Sequence, residues 1–79
     1  MELRTLGYFV AVAETGSVSA AADVVHVTQP AISRQIRQLE SELGVELFAR
    51  SAGRLQLSAA GRQFLPHAQD VLRRADGAR

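Results

Sequence analysis

The sequence predicts a mainly α fold: three helices, a small β-hairpin and a fourth, longer helix. Three observations carry this reading. Apolar residues recur at helical spacing in four stretches. Ser or Thr stands just ahead of the last three stretches, and Gly16 and Gly44 stand just behind the first and third. Two short runs flank Ser51-Ala52-Gly53, as the strands of a hairpin flank its loop.

The first helix is predicted from about Leu3 to Glu14, on Leu3, Leu6, Phe9, Val10, Val12 and Ala13. Gly16 suits the left-handed position past its end. Ser17 or Ser19 caps a short second helix running from Ser19 to about His26, with Val18, Ala21, Ala22 and Val25 inward and Val24 off that face. The Ala21-Ala22 pair lets a neighbouring helix approach closely. Thr28 caps a third helix, with Pro30 in its first turn, where no intrahelical N–H is needed. Ile32, Ile36, Leu39 and Leu43 form its single apolar stripe, and Gly44 stops it. Val45–Arg50 and Arg54–Leu57 are the expected strands. Alone they would be marginal, so they must lean on the helices. Ser58 caps a fourth helix from about Ala59 to Ala75, with Ala60, Phe64, Leu65, Ala68, Val71, Leu72 and Ala75 as its stripe. Pro66 removes one bond of that helix and is expected to kink it slightly. The tail Asp76-Gly77-Ala78-Arg79 is expected to fray.

Composition bounds the function. With 79 residues there is room for one small domain and no deep substrate cleft. The absence of cysteine removes disulfides, zinc ribbons, iron–sulfur clusters and thiol catalysis together. No metal-ligand cluster, phosphate-binding glycine loop or nucleophile–base pair occurs, and the serines sit at helix starts, so no enzyme and no cofactor is expected. His67 and Asp70 are three apart on one helix, a spacing that is more often chance than a catalytic pair. No apolar run is long enough to span a bilayer, and the N-terminus is unlike a signal peptide, so a soluble cytoplasmic chain is expected.

The formal net charge is only +1, but every basic residue is Arg, the side chain that pairs bidentately with phosphate and guanine. Their position decides what the charge can do. Val27-Thr28 leaves room only for a sharp turn between the second and third helices, and the third bears Arg on its polar side. That is the helix-turn-helix pattern, with the hairpin as a wing. A major groove admits one helix whose apolar side is anchored and whose polar side faces base edges. Gln29 suits adenine, Arg34 guanine, Ser33 several bases, and Pro30 or Ala31 a thymine methyl, all near the helix start. Arg37 extends this face. Arg50 and Arg54 flank the hairpin tip, within reach of phosphate or the minor groove. Ser17 and Ser19 begin a helix whose free N–H groups favour a phosphate. Glu14, Glu40, Glu42, Asp70 and Asp76 are expected away from this face. The fourth helix carries a stripe longer than three helices can cover, so Leu65, Ala68, Leu72 and Ala75 are expected to face a second, antiparallel copy. The rival reading is a protein-interaction module, because winged helices also bind proteins. Steep weakening of DNA binding with salt separates the two.

The pattern Leu6-x-x-Phe9, Val12-Ala13-Glu14-x-Gly16-Ser17-x-Ser19-x-Ala21-Ala22, Gln29-Pro30-Ala31-x-Ser33-x-Gln35-Ile36, Leu39-Glu40-x-x-Leu43-Gly44, Leu47-Phe48-x-Arg50 and Leu57-Ser58-x-Ala60-Gly61 resembles the N-terminal domain of LysR-type transcriptional regulators. The resemblance runs from Leu3 to about Leu72. It implies a winged helix-turn-helix over residues 1–58 and a linker or dimerisation helix over 59–79. It implies a bacterial transcription factor that binds an interrupted palindrome in double-stranded DNA as a homodimer, and as a tetramer in the full-length regulator. An effector-binding domain is implied beyond this chain. The family's groove-reading positions fall on Thr28, Gln29, Pro30, Ser33 and Arg34, and its wing contacts on Arg50 and Arg54. Gly53 departs from the pattern, standing where many members have Arg. The wing's charge moves one residue on, to Arg54, an arrangement expected to turn it away from the minor groove.

Overall fold

The computed structural model of the chain describes residues 1–77. Six elements follow one another: α1 (Leu3–Thr15), α2 (Val18–Val25), α3 (Gln29–Leu43), β1 (Phe48–Ser51), β2 (Arg54–Leu57) and α4 (Ala59–Gly77). The helix ends follow from their caps. Gly16 and Gly44 take left-handed φ of 73° and return their N–H groups to the carbonyls of Val12 and Glu40. Ser17, not Ser19, caps α2, with its side chain accepting from Ala20 N–H at 3.1 Å. His26 is the left-handed C-cap of α2 rather than part of it. Thr28 Oγ1 accepts from Ala31 N–H at 3.2 Å, as its position before Pro30 predicts.

α1 is the central helix and packs on α2, α3 and α4. One part of the core joins the first three helices through Ala11, Val12, Ala21, Ala22, Ile32 and Ile36. The small Ala21 and Ala22 are both buried, which is what allows the close approach. The other part joins α1, α3 and α4 through Leu6, Phe9, Leu39, Leu47 and Ala68. Phe9 lies at its centre, with the rings of Phe48 and Phe64 tilted against it at centroid distances of 5.4 Å. Thr5, also buried, donates to Gln35 Oε1 at 3.0 Å and ties α1 to α3.

The wing is shorter at its start than the sequence predicts. β1 begins at Phe48, because Gly44 and Val45 N–H both return to the Glu40 carbonyl and finish α3. β1 and β2 pair antiparallel from Phe48↔Leu57 to Ser51↔Arg54. The two-residue loop has φ of +54° at Ala52 and +75° at Gly53, the sign pattern of a tight hairpin turn that follows strand twist. Ser58 joins wing to helix. Its hydroxyl donates to the Glu46 carbonyl at 2.6 Å and accepts from Gly61 N–H at 2.9 Å.

α4 runs unbroken through Pro66 and includes Asp76 and Gly77, which were expected to fray. The remaining tail residues of that expectation, 78 and 79, lie outside the described residues. Ala68 corrects a second expectation. It is 1% exposed and packs in the chain's own core beside Leu6 and Phe9, so it cannot face a second copy. A helical stripe marks a covered face without saying which molecule covers it. Among the described residues, no helix is long and apolar enough to cross a membrane.

Candidate nucleic-acid interface

The α3 helix presents opposite faces to core and solvent. Ile32, Ile36 and Leu39 are buried, which fixes its rotation. Gln29, Pro30, Ser33, Arg34 and Arg37 are thereby turned outward and line one open concavity along its first two turns and slightly beyond. Thr28 stands at the head of this row, exposed, with its hydroxyl oxygen engaged in the cap.

A second concavity lies between the start of α2, the start of α3 and the wing. Thr15, Ser17, Ser19, Gln29, Arg50, Gly53 and Arg54 line it. Ser17 and Ser19 are not equivalent there. The Ser17 hydroxyl accepts from Ala20 N–H, and the Ser17 N–H donates to Thr15 Oγ1 at 3.3 Å. Ser19 is exposed and, among the described residues, its hydroxyl makes no hydrogen bond within the chain. Arg54 follows Gly53 at the start of β2. It borders the same concavity as Arg50, although the strand register gives the two arginines opposite faces of the hairpin. The left-handed φ at Gly53 accounts for glycine there, since a side chain would be strained.

A third concavity, under the wing, is lined by Ser33, Arg37, Glu40, Phe48, Arg50 and Leu55 among others. The three share residues. Gln29 belongs to the first two, Ser33 and Arg37 to the first and third, and Arg50 to the second and third. All the expected DNA-facing residues therefore meet on one continuous surface, with Thr28 at its edge.

Among the described residues, Arg34, Arg37, Arg50 and Arg54 are exposed and make no salt bridge. Of the acids expected away from this surface, Glu42 pairs with the Met1 amino group, Asp70 with Arg73 and Arg74, and Glu14 with Gln69; Glu2 pairs with Arg4. The Met1 amino group is held as a cation above its ordinary pKa range by its hydrogen bond to Glu42 and by that residue's charge. Asp70 turns to the two arginines rather than to His67.

Glu40 is the exception, and the expectation that it lies elsewhere is corrected. It borders the third concavity, where its carboxylate accepts from Leu47 N–H at 2.7 Å. Its spacing from Ser33 and Arg37, seven and three residues, puts it on the polar face of α3 and was the signal available in the sequence. Thr15 borders the second concavity without having been singled out. The apolar positions expected to meet a second copy divide. Ala68 is internal, and Leu65 and Leu72 are half-buried against the core. Leu72 and Ala75 border an open depression with Leu3, where α1 begins and α4 ends. Val71, 41% exposed, adds an apolar side chain to α4's outer surface. Among the described residues, no cluster of three or more His, Asp or Glu side chains is arranged to hold a metal ion.

Comparison with known proteins agrees with this geometry. Residues 3–62 match the sequence profile of the bacterial regulatory helix-turn-helix proteins, lysR family. The chain is 49% identical over 72 residues to the HTH-type transcriptional regulator TfdT of Cupriavidus pinatubonensis (strain JMP 134 / LMG 1197), covering 91% of this chain and 32% of that protein. It is 46% identical over 79 residues to the Hca operon transcriptional activator HcaR of Escherichia coli (strain K12), covering 100% of this chain and 27% of that protein. The chain thus spans about a quarter to a third of the length of these relatives. Its fold is similar to that of the CbnR DNA-binding domain in complex with DNA, with a TM-score of 0.92, 49% identity, and coverage of 99% of this chain and 90% of that one. The BenM DNA-binding domain in complex with benA site 1 DNA is similar at a TM-score of 0.92, with 42% identity, and coverage of 99% and 88%.

Proposed function

Because the chain belongs to the lysR family of bacterial regulatory helix-turn-helix proteins, we propose that it is the part of a transcriptional regulator that reads double-stranded DNA. Residues 1–58 form the reading unit and 59–79 the linker and dimerisation helix. The start of α3 enters the major groove. There Gln29, Pro30, Ser33 and Arg34 meet base edges, with Thr28 at the helix start. Arg37, Arg50, Arg54, Ser19 and, less directly, Ser17 meet phosphates. Base contacts supply specificity, and phosphate contacts supply register and affinity. The observation that carries this reading is the continuous surface on which four arginines stand without an ion pair among the described residues. The protein acts in the cytoplasm, without catalysis of its own. The complete regulator binds its effector on a further domain and assembles as a tetramer.

The same reading includes a homodimer on an interrupted palindrome. Leu65, Leu72 and Ala75, joined by Leu3 and Val71 and without Ala68, are the apolar positions that a second copy covers. Dimerisation would set two recognition helices about 34–36 Å apart, or a multiple of it. Sedimentation checks this: a strict monomer at high concentration removes the dimer.

The experiment that tests the reading is selection from random duplexes at low salt, with the bound pool sequenced. An enriched inverted repeat is expected. On that site, Arg34→Ala should weaken binding by about 1–3 kcal/mol and relax one base-pair position. An equal loss on every sequence would mean that Arg34 touches only phosphate. No binding at any salt overturns the proposal.

A further inference from the structure

The root of the wing is not held by strand pairing alone. Ser58 N–H donates to the Leu47 carbonyl at 2.9 Å, one step below the Phe48↔Leu57 pair. The return bond of that step is missing. The Ser58 carbonyl accepts instead from Arg62 N–H at 2.9 Å, which opens α4. Leu47 N–H turns to Glu40 Oε2 at 2.7 Å, and Phe48 N–H approaches the same oxygen at 3.4 Å. Leu47 is 0% exposed with the carboxylate in place, so Glu40 is the group that pairs this N–H and keeps water from it.

Glu40 projects from the recognition helix on the side of Ser33 and Arg37 and borders the concavity that Arg37 shares with Arg50. Among the described residues it nevertheless makes no salt bridge with either arginine. Its charge is taken up by backbone N–H groups two to three residues before Arg50. One carboxylate therefore ties the wing to α3 and leaves both guanidinium groups unpaired.

We propose that Glu40 is a positioning residue for DNA binding: by holding Leu47 and Phe48, it fixes where Arg50 on the wing stands relative to Arg37 on the recognition helix. This rests on the DNA-binding reading above.

The test compares Glu40→Gln and Glu40→Ala, each with and without Arg50→Ala, for binding of the 79-residue chain to a mixed-sequence duplex across a salt series. Both Glu40 variants remove the same negative charge, so a difference between them reports the hydrogen-bond acceptor. The Gln amide oxygen can still accept from Leu47 N–H, whereas Ala offers nothing. Glu40→Ala is expected to bind roughly three- to tenfold more weakly than Glu40→Gln at low salt, with a salt slope smaller by about one. Arg50→Ala is expected to have less effect in the Glu40→Ala background than alone. Hydrogen exchange at the Leu47 amide is expected to be slow in the wild type and in Glu40→Gln, and fast in Glu40→Ala while α3 stays protected. Equal binding by the two Glu40 variants overturns the proposal, and so does a Leu47 amide equally protected in both. If Glu40→Ala loses its helical circular dichroism, Glu40→Asn replaces it. Asn is neutral like Gln but one methylene too short to reach Leu47 N–H, and is expected to show the same loss against Glu40→Gln. Failure of the wild type to bind any duplex is a failure of the DNA-binding reading, and it is seen before any Glu40 variant is compared.

Discussion

Ala52 holds a backbone conformation that its side chain disfavours. Its φ of +54° carries a penalty of about 1–2 kcal/mol for an L-residue with a Cβ. Asn tolerates that region and is the preferred first residue of this two-residue turn before Gly. Ala52→Asn is therefore expected to stabilise the chain by about 0.5–1 kcal/mol in urea unfolding, with no change in the denaturant slope. Gly61 is constrained by space instead. A Cβ there would overlap the Leu47 carbonyl oxygen and stand 2.9 Å from Leu57 Cδ2. A side-chain tip can move aside, but the Leu47 carbonyl is fixed by Ser58 N–H at 2.9 Å. Overpacking against fixed backbone exceeds the helix-propensity gain of about 1 kcal/mol that Ala brings over Gly. Gly61→Ala is expected to destabilise by about 3 kcal/mol, measured in the same unfolding experiment. A loss below about 1 kcal/mol would mean that α4 and the wing can move apart.

At the scale of elements, α4 carries an evident local defect. Pro66 is exposed and lies inside the helix, where it leaves the Arg62 carbonyl without its helical partner. Since Pro66 is exposed and belongs to neither part of the core, Pro66→Ala is expected to stabilise by about 1–3 kcal/mol, the upper end being the full propensity difference. In a domain of this size that raises the melting temperature by at least about 4 °C. No change would mean that the helix has already relaxed around the ring. The elements themselves were legible in the sequence because their signals are local. Thr28 before Pro30, Gly44 after Leu43 and Ser58 before Ala59 each mark an end by backbone chemistry. What escaped depended on long-range partners. Val45, Glu46 and Leu47 look like strand but precede it, because Val45 N–H returns to the Glu40 carbonyl at 3.2 Å and Leu47 N–H to the Glu40 carboxylate at 2.7 Å. Ala68 looks like an edge for a partner, but α1 already covers it. Glu40 reads as one more surface acid until Leu47 folds back against it. The arginine face was legible for the opposite reason: Ile32, Ile36 and Leu39 fix the rotation of α3, and that decides where Arg34 and Arg37 point.

For the whole molecule, the arrangement of charge matters more than its sum. A formal net charge of +1 predicts little long-range attraction to DNA. Salt-dependent binding, however, counts phosphates neutralised, at about 0.9 in log–log slope for each. The molecule measures 41 × 26 × 19 Å, several times the screening length of about 8 Å at physiological salt, so remote charges do not cancel local ones. Two substitutions that change net charge by one separate these views. Arg54→Ala removes a cation from the concavity beside the start of α2. Glu2→Gln removes an anion at the start of α1, whose other end, Thr15, borders that concavity. The helix between them is about 20 Å long, more than two screening lengths. Anisotropy titration of a labelled duplex between about 150 and 300 mM salt, where that separation holds, reads the slope directly. Arg54→Ala is expected to reduce its magnitude by about one per protomer bound. Glu2→Gln, although it raises the net charge, is expected to leave the slope unchanged. If the two variants shift it equally in opposite directions, net charge governs binding. The four unpaired arginines then act as diffuse charge rather than as a built face.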